Sequence, residues 1–290
     1  MSDPVADLIA AEGLPESYVQ TVEQHWIPLA TRIARLSASA SASHAPLVVG
    51  INGAQGSGKS TLCKFLEVLL ARRRVRAITL SLDDLYLTKA ERQALASEVH
   101  PLFATRGVPG THAVAMGLGL IENMLAGRAL ELPRFDKAMD DRAPETKCVT
   151  GPVDVLLLEG WCVGAKPQDA AELVEPLNSL ERNEDPDGIW RKLVNHWLTQ
   201  DYARLFDQID LLVMLRVENF DAVRRNRALQ EEKLRVANPQ ATDTMDDAAL
   251  ERFCAHYERL TRHMLKEMPG RADVVIPIGP DQNPVPPAKV

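Results

Sequence analysis

The segment GAQGSGKS, residues 53–60, constrains the fold of this chain more than any other feature. The run before it, PLVVGING, is apolar and β-branched, and the run after it, KSTLCKFLEVLLARRR, has the composition of a helix. The segment matches G-x-x-x-x-G-K-[ST], the pattern of a loop that binds nucleotide phosphates when it joins a strand to a helix. We therefore predict a P-loop whose backbone amides, with the positive end of the following helix, surround the phosphates.

The side chains of this loop have separate expected roles. Lys59 is expected to reach the β- and γ-phosphates of a bound nucleotide, and the Ser60 hydroxyl is expected to ligate Mg²⁺. A glycine-rich turn with an incidental lysine is the alternative, but the strand before the loop and the helix after it make a chance match rare. The predicted nucleotide-binding residues are Gly53, Ala54, Gln55, Gly56, Ser57, Gly58, Lys59, Ser60 and Thr61.

Four further apolar runs indicate the architecture around the loop: VRAITLSL, PVDVLLLEG, QIDLLVMLRV and RADVVIPI. These runs are continuous rather than alternating, which is typical of parallel strands that are buried on both faces. Helices are predicted near residues 113–127, 168–182, 189–206, 219–236 and 246–267. The sequence therefore predicts an α/β fold with a mostly parallel sheet covered by helices on both faces.

The length of 290 residues suits one large domain with appendages. We expect a helical extension and a Ser/Ala-rich linker over residues 1–45, the main domain over 46–280 and a proline-rich tail over 281–290. Within the extension, Pro28 is expected to kink or split a helix. The main domain is expected to contain a helical insert at about residues 165–208.

Composition narrows the classes of partner. The net charge of −7 argues against a nucleic-acid partner, because phosphate backbones are normally bound by basic surfaces. The four cysteines are widely spaced and form no C-x-x-C pair, which argues against a disulfide framework or a zinc site. No apolar run approaches the roughly 20 residues needed to cross a membrane. The N-terminus does not resemble a signal peptide, so we expect a soluble cytoplasmic protein with no membrane partner.

Acidic residues follow two of the predicted strands. Asp83 and Asp84 end the run ITLSL, at the sheet edge where ligands bind in open parallel sheets. A helix cap is the alternative, but Thr88 and Glu91 already form a capping box for the helix that follows. Adjacent residues of an extended segment point to opposite sides, so we expect only one of the two carboxylates to face the phosphates. Glu159, at the end of VDVLLLEG, has the position of an acid that acts near Mg²⁺.

Several motifs in one order carry a resemblance to a known family. GAQGSGKST, SLDDLYLT, RGVPGTH, PRFDKAMDDRAP and VLLLEGWCVG together resemble the plant and fungal D-glycerate 3-kinases, relatives of uridine kinase, phosphoribulokinase and bacterial pantothenate kinase. The resemblance covers about residues 47 to 278. It implies a P-loop kinase fold and transfer of the γ-phosphoryl group of ATP to a small hydroxyl compound, D-glycerate, with Mg²⁺ as the metal.

The resemblance also implies roles for particular residues. Asp83 matches the general base that takes the hydroxyl proton, and Glu159 matches the acid near Mg²⁺. The segment 219–236 matches a mobile lid, in which Arg224 and Arg227 would share one helix face and stabilise the transferring phosphoryl group. The alternative for these two arginines is a solvated basic face of the helix.

For the acceptor, glycerate presents a carboxylate and hydroxyls, so cations and hydroxyl-binding groups are expected. The family pattern usually has an aspartate after the histidine of RGVPGTH, where this chain has Ala113, and a glycine before the DR, where Asp140 or Asp141 stands. A related kinase acting on a nucleoside or a pantothenate-like acid and a non-catalytic nucleotide-binding regulator are the alternative functions. The candidate acceptor-binding residues are Asp83, Tyr86, Arg106, His112, Arg134, Asp136, Lys137 and Arg142.

Overall fold

A computed structural model describes residues 3–40, 46–237 and 246–285. The helices are α1 Pro4–Ala11, α2 Tyr18–Thr21, α3 Ile27–Ala40, α4 Lys59–Ala71, α5 Lys89–Glu98, α6 Val114–Leu125, α7 Ser179–Glu184, α8 Ile189–Leu198, α9 Asp201–Phe206, α10 Phe220–Ala237 and α11 Asp247–Glu267. The strands are β1 Leu47–Gly53, β2 Ala77–Ser81, β3 Leu130–Leu132, β4 Phe135–Asp136, β5 Asp141–Arg142, β6 Lys147–Val149, β7 Val155–Gly160, β8 Leu211–Val217 and β9 Val274–Ile278.

The five longer strands form one parallel sheet in the order β2-β7-β1-β8-β9. The sequence prediction of a mostly parallel sheet is therefore confirmed, and all five predicted strands are present. The register pairs Glu159 of β7 with Ile51 on one side and Ser81 on the other. The carboxyl ends of β1, β2 and β7 consequently meet at one edge, next to the P-loop. The remaining strands form two small antiparallel pairs, β3 with β6 and β4 with β5.

Both faces of the sheet are covered by helices, as predicted. In β1, Val49 and Ile51 belong to one buried cluster, whereas Val48 belongs to the other. This alternation follows from the two-residue period of a strand. The first cluster includes α3 and α4, and the second includes α6 and α11.

The N-terminal helices pack on α4 rather than standing apart from the domain. Val22, Trp26 and Ile33 share a buried cluster with the apolar face of α4. A π-helix over Val22–Trp26 leads directly into α3, so the helix continues through the position where Pro28 was expected to kink or split it. Pro28 lies just after the π-helical segment, and a local π-helical turn is one of the ways in which a helix accommodates a residue without an amide hydrogen. Residues 37–40 of the predicted linker are helical, and residues 41–45 lie outside the described part of the chain.

The predicted helices of the insert need two corrections. Residues 168–182 form a short 3₁₀ turn at Ala170–Leu173 and the six-residue α7, not one helix, because Pro176 interrupts the segment. Residues 189–206 form two helices, α8 and α9, instead of one. The break follows Thr199, whose hydroxyl donates to the His196 carbonyl and so competes with the helical ladder. The end of the predicted tail, residues 286–290, lies outside the described residues, and none of the described helices is long and apolar enough to cross a membrane.

Candidate active site

The P-loop follows β1 and ends at the first residue of α4. Gly56 and Gly58 have φ angles of 74° and 87°, a left-handed conformation that glycine adopts without steric cost. A Cβ atom at position 56 would lie 2.9 Å from the Cβ of Asn226 in α10. Glycine at this position therefore permits both the turn of the loop and the close approach of α10.

The polar side chains of the loop suit a phosphate ligand. The Lys59 ammonium donates to the carbonyl oxygen of Ala54 at 3.2 Å, so it folds back over the loop. The Ser57 hydroxyl is buried and has no hydrogen-bond partner within the described chain. A buried polar atom without a partner normally signals a missing ligand or water. The loop thus has donors available for an incoming anion.

Ser60 and Glu159 are brought together by the sheet register. The Ser60 hydroxyl donates to Oε1 of Glu159 at 3.1 Å. Hydroxyl and carboxylate oxygens are the ligands that Mg²⁺ prefers, and Mg²⁺ commonly takes one or two protein oxygens and completes its shell with phosphates and water. No group of three or more histidine, cysteine, aspartate or glutamate side chains is gathered as a metal site within the described ranges. This pair therefore fits Mg²⁺ delivered together with a nucleotide.

The two adjacent aspartates lie in a 3₁₀ turn, Leu82–Leu85, and not in the extended segment that we predicted. Both residues line one cavity of about 570 Å³ beside the P-loop, because the alternation expected of an extended segment does not apply to this turn. Asp83 accepts hydrogen bonds from the Tyr86 hydroxyl at 2.8 Å and from the Lys137 ammonium at 2.7 Å. Asp84 accepts from Arg134 at 2.8 Å and from the Phe135 amide at 3.1 Å. Each carboxylate consequently has its own cation.

The surroundings shift the pKa values of the two carboxyl groups in opposite directions. Burial alone would raise the pKa of Asp83, but the charge of Lys137 and the hydrogen bonds from Lys137 and Tyr86 outweigh burial, and the pKa is lowered. For Asp84, burial outweighs the Phe135 amide and Arg134, and the pKa is raised. Asp83 therefore stays ionised to a lower pH than Asp84. Since a base must be ionised to accept a proton, Asp83 is the better candidate for that role.

A buried chain of aromatic residues supports Tyr86. The Tyr86 ring stacks on His112 with 4.7 Å between centroids, and Nδ1 of His112 lies 2.5 Å from the Tyr202 hydroxyl. That hydroxyl also accepts a hydrogen bond from the Gly110 amide at 3.0 Å. Burial lowers the pKa of His112 to about 3, so the imidazole is neutral. His112 does not line the cavity but contacts Tyr86, which does.

The other acceptor candidates divide into two groups. Arg106, Arg134 and Lys137 line the cavity. Asp136 does not line it and instead accepts hydrogen bonds from the amides of Ala138 and Met139. Arg142 also lies outside the lining and donates to the Tyr86 carbonyl oxygen at 3.1 Å. Asp136, Arg142 and His112 therefore lie outside the lining of the cavity.

The structure separates the two arginines of α10. Arg227 lines the cavity, forms an ion pair with Glu231 and lies over the Phe253 ring at 5.1 Å. Arg224 pairs with Glu251 at 2.8 Å and is not among the cavity residues. Arg224 therefore does not join Arg227 at the cavity, although a shared face was expected, because the adjacent α11 supplies the carboxylate that pairs with it.

Trp161 and Tyr257 are among the cavity residues that the sequence did not indicate. The Trp161 indole donates to the Gly107 carbonyl at 2.7 Å, and the Tyr257 hydroxyl donates to the Arg106 carbonyl at 2.9 Å. Each ties the RGVPG segment to another element. No local pattern marks either residue, although Trp161 lies only two positions after Glu159.

Comparison with known proteins places the chain in a family. No family model matches it. It is 34% identical over 224 residues to the uncharacterized kinase mug58 of Schizosaccharomyces pombe, covering 73% of this chain and 78% of that protein. It is 34% identical over 170 residues to the chloroplastic D-glycerate 3-kinase of Arabidopsis thaliana, covering 53% of this chain but 37% of that protein. A solved structure of D-glycerate 3-kinase from Cryptococcus neoformans superposes with a TM-score of 0.70 at 25% identity, covering 89% of this chain and 97% of the other. The chain belongs to the D-glycerate 3-kinase family.

One departure of this chain from the pattern of the D-glycerate 3-kinase family has a structural explanation. Asp140 stands near the expected glycine and has a φ of 54°, in the left-handed region that glycine favours. Its carboxylate forms ion pairs with Arg92 and Arg106. The position thus keeps the backbone conformation of a glycine and adds a charge that holds a cavity arginine. The other departure, Ala113, lies immediately before α6 and leaves its N-terminus without a side-chain cap.

Proposed function

We propose that this chain transfers the γ-phosphoryl group of ATP to the 3-hydroxyl group of D-glycerate. D-glycerate is the substrate named for the Arabidopsis and Cryptococcus relatives. The observation that carries the proposal is the position of Asp83, a carboxylate beside the P-loop in a cavity that also holds Arg106, Arg134 and Lys137. A base next to cations suits an acceptor that has a hydroxyl group and a carboxylate.

The reaction follows from the positions of these groups. The P-loop amides and Lys59 hold the β- and γ-phosphates, and Ser60 and Glu159 are the residues that would hold Mg²⁺. The metal, when bound, neutralises charge on the phosphate oxygens. Asp83 accepts the hydroxyl proton while the acceptor oxygen bonds to the γ-phosphorus and the bond to the ADP oxygen breaks. Arg227, facing the cavity, is placed to stabilise charge on the transferring group.

ADP release under Mg²⁺-ATP tests this function. The panel consists of D-glycerate, L-glycerate, pantothenate, uridine and ribulose 5-phosphate. We expect stimulation by D-glycerate and its loss in Asp83→Asn, with Asp169→Asn as the matched control because Asp169 only caps a short turn outside the cavity. Stimulation by another panel member would keep the kinase and replace the acceptor. Silence across the whole panel would favour a nucleotide-binding regulator instead.

A further inference from the structure

Three cations that line the cavity are each paired with a carboxylate of the protein. Lys137 pairs with Asp83 at 2.7 Å, Arg134 pairs with Asp84 at 2.8 Å, and Arg106 pairs with Asp140. Before an anionic acceptor binds, these three positive charges are therefore occupied. One of these acids, Asp83, is also the proposed base.

The three pairs are not held equally. Asp140 is also bound by the buried guanidinium of Arg92, and Asp84 also accepts the Phe135 amide. Lys137 is the most exposed of the three cations, with 63% of its side chain accessible against 46% for Arg134 and 26% for Arg106. A lysine ammonium on a flexible stem can change partners with little rearrangement. The Lys137–Asp83 pair is thus the one best able to open.

Asp83 does not depend on Lys137 for its position. The Tyr86 hydroxyl donates to it at 2.8 Å, and the Tyr86 ring is buried between His112 and Phe135. When Lys137 moves away, the carboxylate keeps this donor and stays beside the P-loop. The carboxylate loses only the nearby positive charge, which had lowered its affinity for a proton.

We infer that Lys137 is a specificity-determining residue that blocks the base until an acceptor carboxylate draws its ammonium away. The inference rests on the proposed function and extends it. Before an acceptor binds, the Lys137 ammonium is paired with the Asp83 carboxylate. A hydroxy acid offers its own carboxylate to the ammonium, and Asp83 then takes the proton of the acceptor hydroxyl as the new O–P bond forms and ADP leaves. Water and neutral alcohols have no carboxylate, so they leave the Lys137–Asp83 pair closed.

This arrangement gives a reason for coupling acceptor charge to catalysis. A binding lysine alone would raise affinity for a carboxylate but would leave the base equally active toward water. Lys137 instead makes the base available only together with the correct class of acceptor. The enzyme thereby limits hydrolysis of ATP in a cavity that is open to solvent.

The test measures ADP release by wild type and Lys137→Met with no acceptor, with glycerol and with D-glycerate. Glycerol is matched to D-glycerate except that it carries a hydroxymethyl group in place of the carboxylate. In Lys137→Met we expect ADP release without acceptor and with glycerol to rise by about tenfold. The rise is expected because the hydrogen bond that blocks the base is lost, and a tenfold change in rate corresponds to one charge-assisted hydrogen bond of ordinary strength. Stimulation by D-glycerate should fall by a similar factor.

Lys147→Met is the control, because Lys147 lines the same cavity but forms no ion pair with a described residue. A rise in acceptor-free release in both variants would indicate a general effect of charge and would overturn the inference. Loss of D-glycerate stimulation without any rise in the other two reactions would reduce Lys137 to a carboxylate-binding residue and would also overturn it. If wild type ignores D-glycerate, the proposed acceptor fails, but the acceptor-free comparison still decides the role of Lys137.

Discussion

The guanidinium of Arg92 binds both the backbone carbonyl and the side-chain carboxylate of Asp140. Nη2 of Arg92 donates to the Asp140 carbonyl oxygen at 2.7 Å and lies 3.0 Å from the carboxylate. The same side chain donates to the carbonyls of Leu87 and Ala104, and it is 1% exposed. Three chain segments that border the acceptor cavity are therefore joined through one buried arginine.

Replacing this arginine by methionine should destabilise the fold. In Arg92→Met the carbonyls of Leu87 and Ala104 lose their donor, and the free energy of unfolding should fall by roughly 3 kcal/mol, as for other broken buried ion pairs. Chemical denaturation measures the change. Arg128→Met removes an exposed arginine and should stay within about 0.5 kcal/mol of wild type. Equal losses in the two variants would contradict the role given to Arg92.

The backbone at Asp140 allows a second test. Both Asp140→Gly and Asp140→Ala lose the ion pairs with Arg92 and Arg106, but only glycine adopts a φ of 54° without steric cost. We expect the glycine variant to be more stable by about 1 kcal/mol, the reverse of the usual preference for alanine. Thermal unfolding of the two proteins side by side provides the measurement. An alanine variant that is the more stable would be inconsistent with this conformation.

Loss of the Tyr86 hydroxyl should shift the pH dependence of catalysis. This hydroxyl helps to lower the pKa of Asp83, so Tyr86→Phe should raise that pKa. The acidic limb of the kcat profile should consequently move to higher pH, because a base must be ionised to accept a proton. Tyr18→Phe, in the N-terminal helices, should leave the limb in place. A limb that does not move in Tyr86→Phe would argue against Asp83 as the base.

His112 should make stability depend on pH. Its pKa falls from 6.5 to about 3 on folding, so the neutral imidazole contributes stability that is complete above pH 6.5 and is lost as the pH falls toward 3. In His112→Phe, the slope of the unfolding free energy between about pH 6 and pH 5 should decrease by roughly 1 kcal/mol per pH unit. Denaturant titrations at several pH values measure both slopes. Equal slopes would show that His112 titrates normally in the folded protein.

Glu159 should matter for nucleotide binding only when the metal is present. Its carboxylate and the Ser60 hydroxyl lie together at the end of the P-loop, and both are oxygen ligands of the kind that Mg²⁺ prefers. Glu159→Gln should therefore weaken the affinity for Mg²⁺-ADP, whereas affinity for ADP in EDTA should change little. Calorimetric titrations under the two conditions provide the comparison. A similar loss with and without the metal would place Glu159 outside the metal site.

The sequence predicted those parts of the molecule that depend on local chain properties. The P-loop follows from its glycines, Lys59 and the flanking strand and helix, all within a few residues of one another. The five parallel strands follow from continuous apolar runs. Failures occurred where a helix pattern was weak, as in residues 168–182, where Pro176 prevents one continuous helix.

Other parts of the site depend on contacts between distant segments. Lys137 reaches Asp83, and the Phe135 amide reaches Asp84, from more than 50 positions away. Arg92 lies in a run, KAERQALA, that resembles a solvated helix face, yet its side chain is buried by contacts with carbonyls and with Asp140 and Phe135. The spacing of Arg224 and Arg227 could not show that Arg224 forms an ion pair with Glu251 of α11. Such assignments need the tertiary arrangement.

The contact between Gly56 and Asn226 sets a limit on chemical change at the phosphate loop. A single methyl group at position 56 would already be too close to α10. The short distance between the loop and this helix therefore requires a residue without a side chain at this position. A side chain there would distort the loop and push the helix outward in one event. The curvature of the loop and its distance from α10 therefore cannot be changed independently by a substitution at this residue.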